Sequence, residues 1–162
     1  MGPQNNGLWR SSLHISGPGE VYVSSTDEAS LNMWTHTCMT YDGLKLRFFV
    51  NGILNDEVEA VGAIHQTGNP LYFGDQLFYA SSDYKFYGEI DEVQIWDKAL
   101  SIDELQQLMG CPPQNPTDGL IGCWNFEEGS GDIVYDLSGN DNHGQVNGAI
   151  WSAETHDHPC LE

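Results

Sequence analysis

The chain has 162 residues, 24 of them acidic and only five basic (Arg10, Lys45, Arg47, Lys85 and Lys98), for a formal net charge of −19. Such a chain has no basic patch to neutralise phosphates, which argues against nucleic acid and anionic membrane surfaces as partners. No run approaches the ~18 apolar residues of a membrane span, and the length suits one domain with its own core. With 40% hydrophobic residues and 18 glycines, the composition favours many short strands joined by tight turns.

Met1-Gly-Pro-Gln-Asn-Asn6 lacks the apolar stretch of a signal peptide, and Met1-Gly2 and Leu161-Glu162 read as vector-derived ends. Two short strands are expected at Leu8–Ile15 and Glu20–Ser24, broken by Gly17-Pro18-Gly19, with a polar loop over 25–33. Trp34–Tyr41 and Leu44–Val50 follow, joined by Asp42-Gly43, and Asn51-Gly52 leads into a third strand from Ile53. Both dipeptides suit type I′ turns, whose twist matches antiparallel strands. Leu44, Leu46 and Phe48 alternate with Lys45, Arg47 and Phe49, giving one apolar and one mixed face. Another short strand is expected at Leu71–Gly74, before an aromatic-rich loop over 75–85.

Ile90, Val93 and Ile95 mark a half-buried strand with Glu89, Glu92 and Gln94 as its polar side. The period then turns helical. Ser101-Ile-Asp-Glu104 reads as a capping box, Leu105 and Leu108 share a face, Gly110 suits a left-handed C′ position, and Pro112-Pro113 forbid continuation. Cys111–Asp118 reads as a proline-stiffened linker. Strands are expected at Leu120–Phe126, Ile133–Tyr135 and near Gln145–Trp151, around an Asp136–Gly144 loop, with 152–162 as a mobile tail. Of the four cysteines, Cys38 and Cys123 fall in strand patterns as buried fillers. Cys111 and Cys160 lie in loops that suit a disulfide and an oxidising compartment.

Gly88-Glu-Ile-Asp-Glu-Val-Gln-Ile-Trp96 with Ala99-Leu-Ser101 and Glu104-Leu105 resembles the closing motif of laminin-G-like jelly-roll domains of the concanavalin A-like lectin/glucanase superfamily. Trp34-Thr-His36 through Gly43 with Phe49-Val-Asn-Gly52 resembles their central hairpins. Gly119-Leu-Ile-Gly-Cys-Trp-Asn-Phe-Glu127 with Asp136-Leu-Ser-Gly-Asn140 through Gly144 resembles their opening strand and following loop. The resemblance implies an all-β, two-sheet antiparallel jelly-roll sandwich with one short helix, spanning 1–151 as a single domain. It departs in order, since the opener-like segment 119–151 follows the closing strand; the expectation is that 119–151 packs into the same globule. The alternative is that the sequence starts mid-domain; if strands are then missing, exposed edges would favour homo-oligomers by strand exchange.

The superfamily's glucanases need two carboxylates ~5 Å apart, which on a strand means a Glu-x-Asp-x-Glu face. Glu89-Ile90-Asp91 supplies half of it, but Val93 takes the third place and Glu92 falls on the opposite side of a regular strand. No catalytic residues are assigned. Asp136, Ser138, Asn140 and Asn142 offer oxygens at alternating positions around a glycine bend, a pattern able to wrap calcium. Asp91 and Glu127 join that set if the strands carrying them pair. The alternative is that Asp136, Ser138 and Asn140 are turn residues bonding their own backbone. For sugar, Phe78, Tyr79 and Tyr84 offer an aromatic platform, with Asp75, Gln76 and Asp83 to fix hydroxyls. His156, His158 and Cys160 could ligate a transition metal, though in a tail more often they would be unordered. The expectation is thus a non-catalytic extracellular or cell-surface module that binds a glycan or another cell-surface ligand, with structural calcium. The alternative is a spacer or protein–protein adhesion domain.

Overall fold

A computed structural model describes residues 2–3, 7–75, 85–113 and 116–153. The elements run β1 (Gly2–Pro3), β2 (Leu8–Ile15), β3 (Gly19–Glu28), β4 (Thr37–Tyr41), β5 (Lys45–Val50), β6 (Ile53–Glu59), β7 (Val93–Trp96), α1 (Ile102–Gly110), β8 (Leu120–Trp124), β9 (Ile133–Val134) and β10 (Gly144–Gln145). Every pairing is antiparallel, and α1 is the one helix among the described residues. The all-β class with a single short helix is as expected. The chain divides into two compact units, Met1–Asn69 with Lys98–Met109, and Pro70–Asp97 with Gly110–Glu162.

In the first unit, sheets β1-β2-β3 and β4-β5-β6 enclose a core of Val23, Leu46 and Phe48, with Leu13, Val21, Met39, Tyr41 and Val58 packed against it. Alternation makes this core. Ser11 and Ile15 are buried on β2 while Arg10, Ser12 and His14 are exposed, because successive strand side chains face opposite ways. Leu46 and Phe48 are fully buried, each worth roughly 1.5–3 kcal/mol of transfer free energy. Leu44, expected on the same face, lies in the turn and is exposed. A register shift between Phe48 and Phe49 lets Phe49 be buried as well.

The two turn dipeptides differ. Asn51 and Gly52 both have positive φ (49° and 72°) between the pair Val50↔Ile53, the type I′ pattern. At the other hairpin only Gly43 is positive, at 89°. The loop is shifted by one, and Asp42 Oδ1 accepts from the Leu44 and Lys45 amides at 2.9 and 2.8 Å. Asp42 therefore holds the turn with its side chain rather than its backbone angle, helped by Arg47 Nη1 at 2.7 Å.

Several boundaries move. β3 runs on to Glu28, through the expected loop, since Asp56 Oδ2 accepts from Ser24 N and Asn55 Oδ1 from Thr26 N; side chains of β6 satisfy the polar half of the strand. β4 starts at Thr37, not Trp34. The capping box forms: Glu104 Oε2 accepts from Ser101 N at 2.8 Å and Ser101 Oγ accepts from Glu104 N at 3.3 Å. Those Ser101 contacts, with Lys98, bring the Glu104 carboxyl down to about 2. Gly110 closes the helix as a helical residue and is not among the positive-φ glycines, so the C′ expectation fails. Gln106 Nε2 donates to Gly52 O at 3.2 Å, fastening α1 to the β5–β6 turn.

In the second unit, β7 pairs with β8 through Val93↔Trp124 and Gln94↔Cys123, and β9 pairs with β10. The opener-like strand thus bonds directly to the closing strand. Residues 71–74 form no strand. Gly74 has φ 80°, and the Phe73 ring instead meets Trp124 edge-on at 5.2 Å. Ile90 lies outside β7, which starts only after Glu92 at φ 51°. β8 stops at Trp124, with Phe126 at φ 53°. The expected last strand shrinks to Gly144–Gln145. Trp151 Nε1 donates to Gly131 O and Ser152 Oγ bonds Glu89, so the ordered chain extends into the expected tail. Cys111 is disulfide-bonded, while Cys38 and Cys123 are free thiols, both pushed up to about 11 by burial; Cys160 lies outside the described residues.

Candidate functional site

The polar residues singled out after β8 form one network. Asp136 is 7% exposed. Its Oδ1 accepts from Cys123 N and Ser138 N, both at 2.9 Å. Its Oδ2 accepts from Ser138 Oγ at 2.8 Å and Asn142 N at 3.0 Å. Burial raises this carboxyl, yet the amides of Ser138, Cys123 and Asn142 and the Ser138 hydroxyl outweigh it, leaving the group below its ordinary value. A carboxylate that accepts several amides is favoured in its charged form.

The asparagines do a different job. Asn140 Nδ2 donates to Leu120 O and Ile121 O at 3.0 and 3.1 Å, and Asn142 Nδ2 to Ile121 O at 2.9 Å. Buried or half-covered carbonyls must find donors; here side-chain amides of the 136–142 loop supply them along β8 as a neighbouring strand would. Trp124 Nε1 adds a bond to Asn142 O at 3.0 Å. Gly122 is required beneath that indole, because a Cβ there would lie 2.3 Å from Trp124 Cη2.

Beside the network lies an open depression of about 540 Å³, lined by Asp97, Thr117, Asp118, Ser138, Asn140 and Asn142 among others. Asp97 N donates to Gly119 O at 2.9 Å, which ties the Asp97 backbone to the residue that follows Asp118. With both amide nitrogens spent on carbonyls, Asn140 and Asn142 are held as oriented groups at this surface. Amides fixed in this way, beside the exposed side chains of Asp97, Thr117 and Asp118, can hydrogen-bond a polyhydroxylated ligand. Asp97, Thr117 and Asp118 were not singled out from sequence. The local signal that could point to the place is the Asp118-Gly119 pair, where Gly119 has φ 83°.

The expected calcium set is divided. Asp136, Ser138, Asn140 and Asn142 come together, but the Asp136 carboxylate already accepts four hydrogen bonds, which leaves it poorly placed to ligate a hard cation. Asp136 and Ser138 do accept from amides of their own loop, whereas the Asn140 amide bonds the carbonyls of β8. β7 and β8 do pair, and they bring Asp91 and Glu127 to Glu92 instead. Glu92 is raised to about 7, first by burial and then by the charges of Asp91 and Glu127. Its positive φ of 51° and its place before β7 take it out of the regular strand to which the alternation argument applies. Glu89 bonds Ser152 and Asp91 Oδ1 accepts from Glu92 N at 2.9 Å. No three His, Cys, Asp or Glu among the described residues converge as an ion cage.

Of the expected sugar platform, Phe78, Tyr79, Tyr84, Gln76 and Asp83 lie outside the described residues. Asp75 is exposed, with Lys85 Nζ 3.9 Å away, and Phe86 N donates to Gly74 O at 2.9 Å. The two ends of the aromatic segment are therefore tied together.

Antiparallel sheets around an alternating apolar core in the first unit, and a polar loop network along β8 in the second, make the chain all-β with one short helix. The chain belongs to the Laminin_G_3 family of the concanavalin A-like lectin/glucanases superfamily, whose model matches residues 1–106. A crystal structure of a candidate carbohydrate-binding protein from Bacteroides ovatus shares the fold at a TM-score of 0.69 and 20% identity, covering 84% of this chain and 41% of that one. The chain thus spans about two fifths of that protein's length. An S-layer domain-containing protein from Clostridium thermocellum aligns at a TM-score of 0.45 and 25% identity, over 63% of this chain and 51% of that one. No curated protein matches the sequence. Among the described residues no helix is long and apolar enough to cross a membrane.

Proposed function

We propose that this protein is a non-catalytic module that binds carbohydrate, with the polar depression beside β8 as one candidate subsite and Phe78, Tyr79 and Tyr84 to stack on sugar rings and Asp75, Gln76 and Asp83 to hydrogen-bond hydroxyls as the other candidate set. The observation that carries this reading is the pair Asn140 and Asn142, locked by β8 carbonyls next to the carboxylates of Asp97 and Asp118. Membership of a superfamily of lectins and glucanases and the Bacteroides ovatus fold support the sugar class. An extracellular or cell-surface setting is supported by the disulfide at Cys111, since such bonds persist in oxidising compartments. Calcium belongs to the proposal at Asp91 and Glu127, with water completing its oxygen shell, and its charge would offset the repulsion these carboxylates exert on Glu92.

A glycan array followed by calorimetry tests it, in millimolar calcium and again in chelator. Asp97→Ala with Asp118→Ala should weaken binding at least tenfold without a change in melting temperature, because neither side chain holds the network; Tyr79→Ala with Tyr84→Ala should do the same. Full affinity in both double variants would refute the site. One observation favours a second reading: a carboxyl raised to about 7 beside another carboxylate is the pattern of a glycosidase acid. Hydrolysis of a β-glucan reporter that disappears in Glu92→Gln would establish that enzyme instead.

A further inference from the structure

The outer face of the first sheet carries a group of residues outside the carbohydrate reading. Ile15 bridges Ile64 antiparallel, and His65 N donates to His14 O at 2.8 Å. His14 and His65 are therefore directly opposed. On the other side of β2, His14 pairs with Glu20 of β3. Laterally paired residues project from the same face, so Glu20, His14 and His65 form one row across three adjacent segments. All three are exposed.

The imidazole centroids are 5.1 Å apart with planes tilted by 57°, which is not a stack. Two imidazoles on one tetrahedral zinc, with Zn–N bonds of about 2.0–2.1 Å, place their centroids roughly 5 Å apart. We propose that His14 and His65 form a surface chelate for a divalent transition metal of the zinc, nickel or copper type, completed by Glu20 and water. Imidazole nitrogen suits these ions, whereas calcium and magnesium prefer oxygen.

The backbone under the pair is fixed before any metal arrives. Ser16 N donates to Ala63 O at 2.9 Å, and Tyr41 Oη donates to Ala60 O or Gly62 O at 2.6 and 2.7 Å. Gly62, at φ 151°, allows the close approach, since a Cβ there would fall 2.4 Å from Ser16 O. Glu20 is held by hydrogen bonds from Tyr22 and from Ser12 Oγ, the latter at 3.1 Å, both between exposed side chains, which metal binding must exchange. The three residues do not yet converge as a cage; the histidine pair is the chelate and Glu20 the mobile arm.

The test is a calorimetric zinc titration of the whole chain, in excess magnesium so that the many carboxylates are occupied, with His156→Ala/His158→Ala as the background that removes the tail's histidines. One zinc per chain should bind in that background. His14→Ala or His65→Ala should each lower affinity by at least about tenfold, and Glu20→Gln by about threefold, with melting temperature unchanged in the absence of zinc. In the unsubstituted chain, zinc should shift the ring-proton resonances of both His14 and His65. Binding that vanishes with the tail histidines, or that survives His14→Ala undiminished, overturns the proposal.

Discussion

The two compact units are stabilised by different physics. The first closes on Val23, Leu46 and Phe48, where the favourable term is apolar area removed from water and is spread over many contacts. The second gathers its polar loop around one nearly buried carboxylate, Asp136, whose four hydrogen bonds tie three backbone amides and a hydroxyl together. A distributed core tolerates substitution if volume is kept. A single anion serving four donors does not, because removing it leaves those donors desolvated and unpaired.

That contrast predicts its own breaking point. Asp136→Ala should cost about 3–4 kcal/mol in denaturant melts, as large as a core truncation, although it removes no apolar surface. A loss under about 1 kcal/mol would show the loop to be held by something other than the carboxylate. Gly122→Ala comes next, at about 1–3 kcal/mol, since the indole of Trp124 must move to admit a methyl group. The same exchange at Gly43, where a Cβ would meet nothing within 4 Å, should cost less and only through its φ of 89°. Equal losses at the two glycines would remove steric contact with Trp124 as the cause.

How far each unit could be read from sequence follows the same line. Alternation over Lys45 to Phe48 and the Asn51-Gly52 turn specified the first unit's hairpins, because period and turn chemistry are local; the bulge that buries Phe49 beside Phe48 breaks the period and had no such signal. The extension of β3 through Ser25 and Thr26 was hidden, since its polar partners Asn55 and Asp56 lie some thirty residues away. In the second unit Asp136, Ser138, Asn140 and Asn142 were recognised as one loop. Side-chain oxygens at alternating positions look the same whether they face a cation or their own amides; only the donors on Cys123 and the carbonyls of Leu120 and Ile121 separate the two. Asp97 and Asp118 had no local signal as a pair, being joined through Gly119 O. Glu92 misled because strand alternation was applied to a residue whose positive φ had already left the strand.

Glu92 sharpens the comparison through pH, by the smallest of these effects. Its folded pKa of about 7 lies above the ordinary glutamate value of 4.5, so the folded state binds more protons than the unfolded one between these limits. Its contribution to stability is fully present below about pH 4.5 and is lost as pH rises through about 7. Asp136 has the opposite sign: its pKa is depressed, so its contribution is present above the ordinary aspartate range and is lost as pH falls below it. Stability of the second unit should therefore peak between these two titrations. Glu92→Gln should flatten the alkaline side and gain about 1 kcal/mol at pH 8, a figure already reduced for the screening that a half-exposed group receives. Melts from pH 4 to 8 decide it. An unchanged alkaline slope in Glu92→Gln would move the cause from this carboxyl to the general repulsion among 24 acidic residues, and would remove the electrostatic basis for a cation beside Asp91 and Glu127.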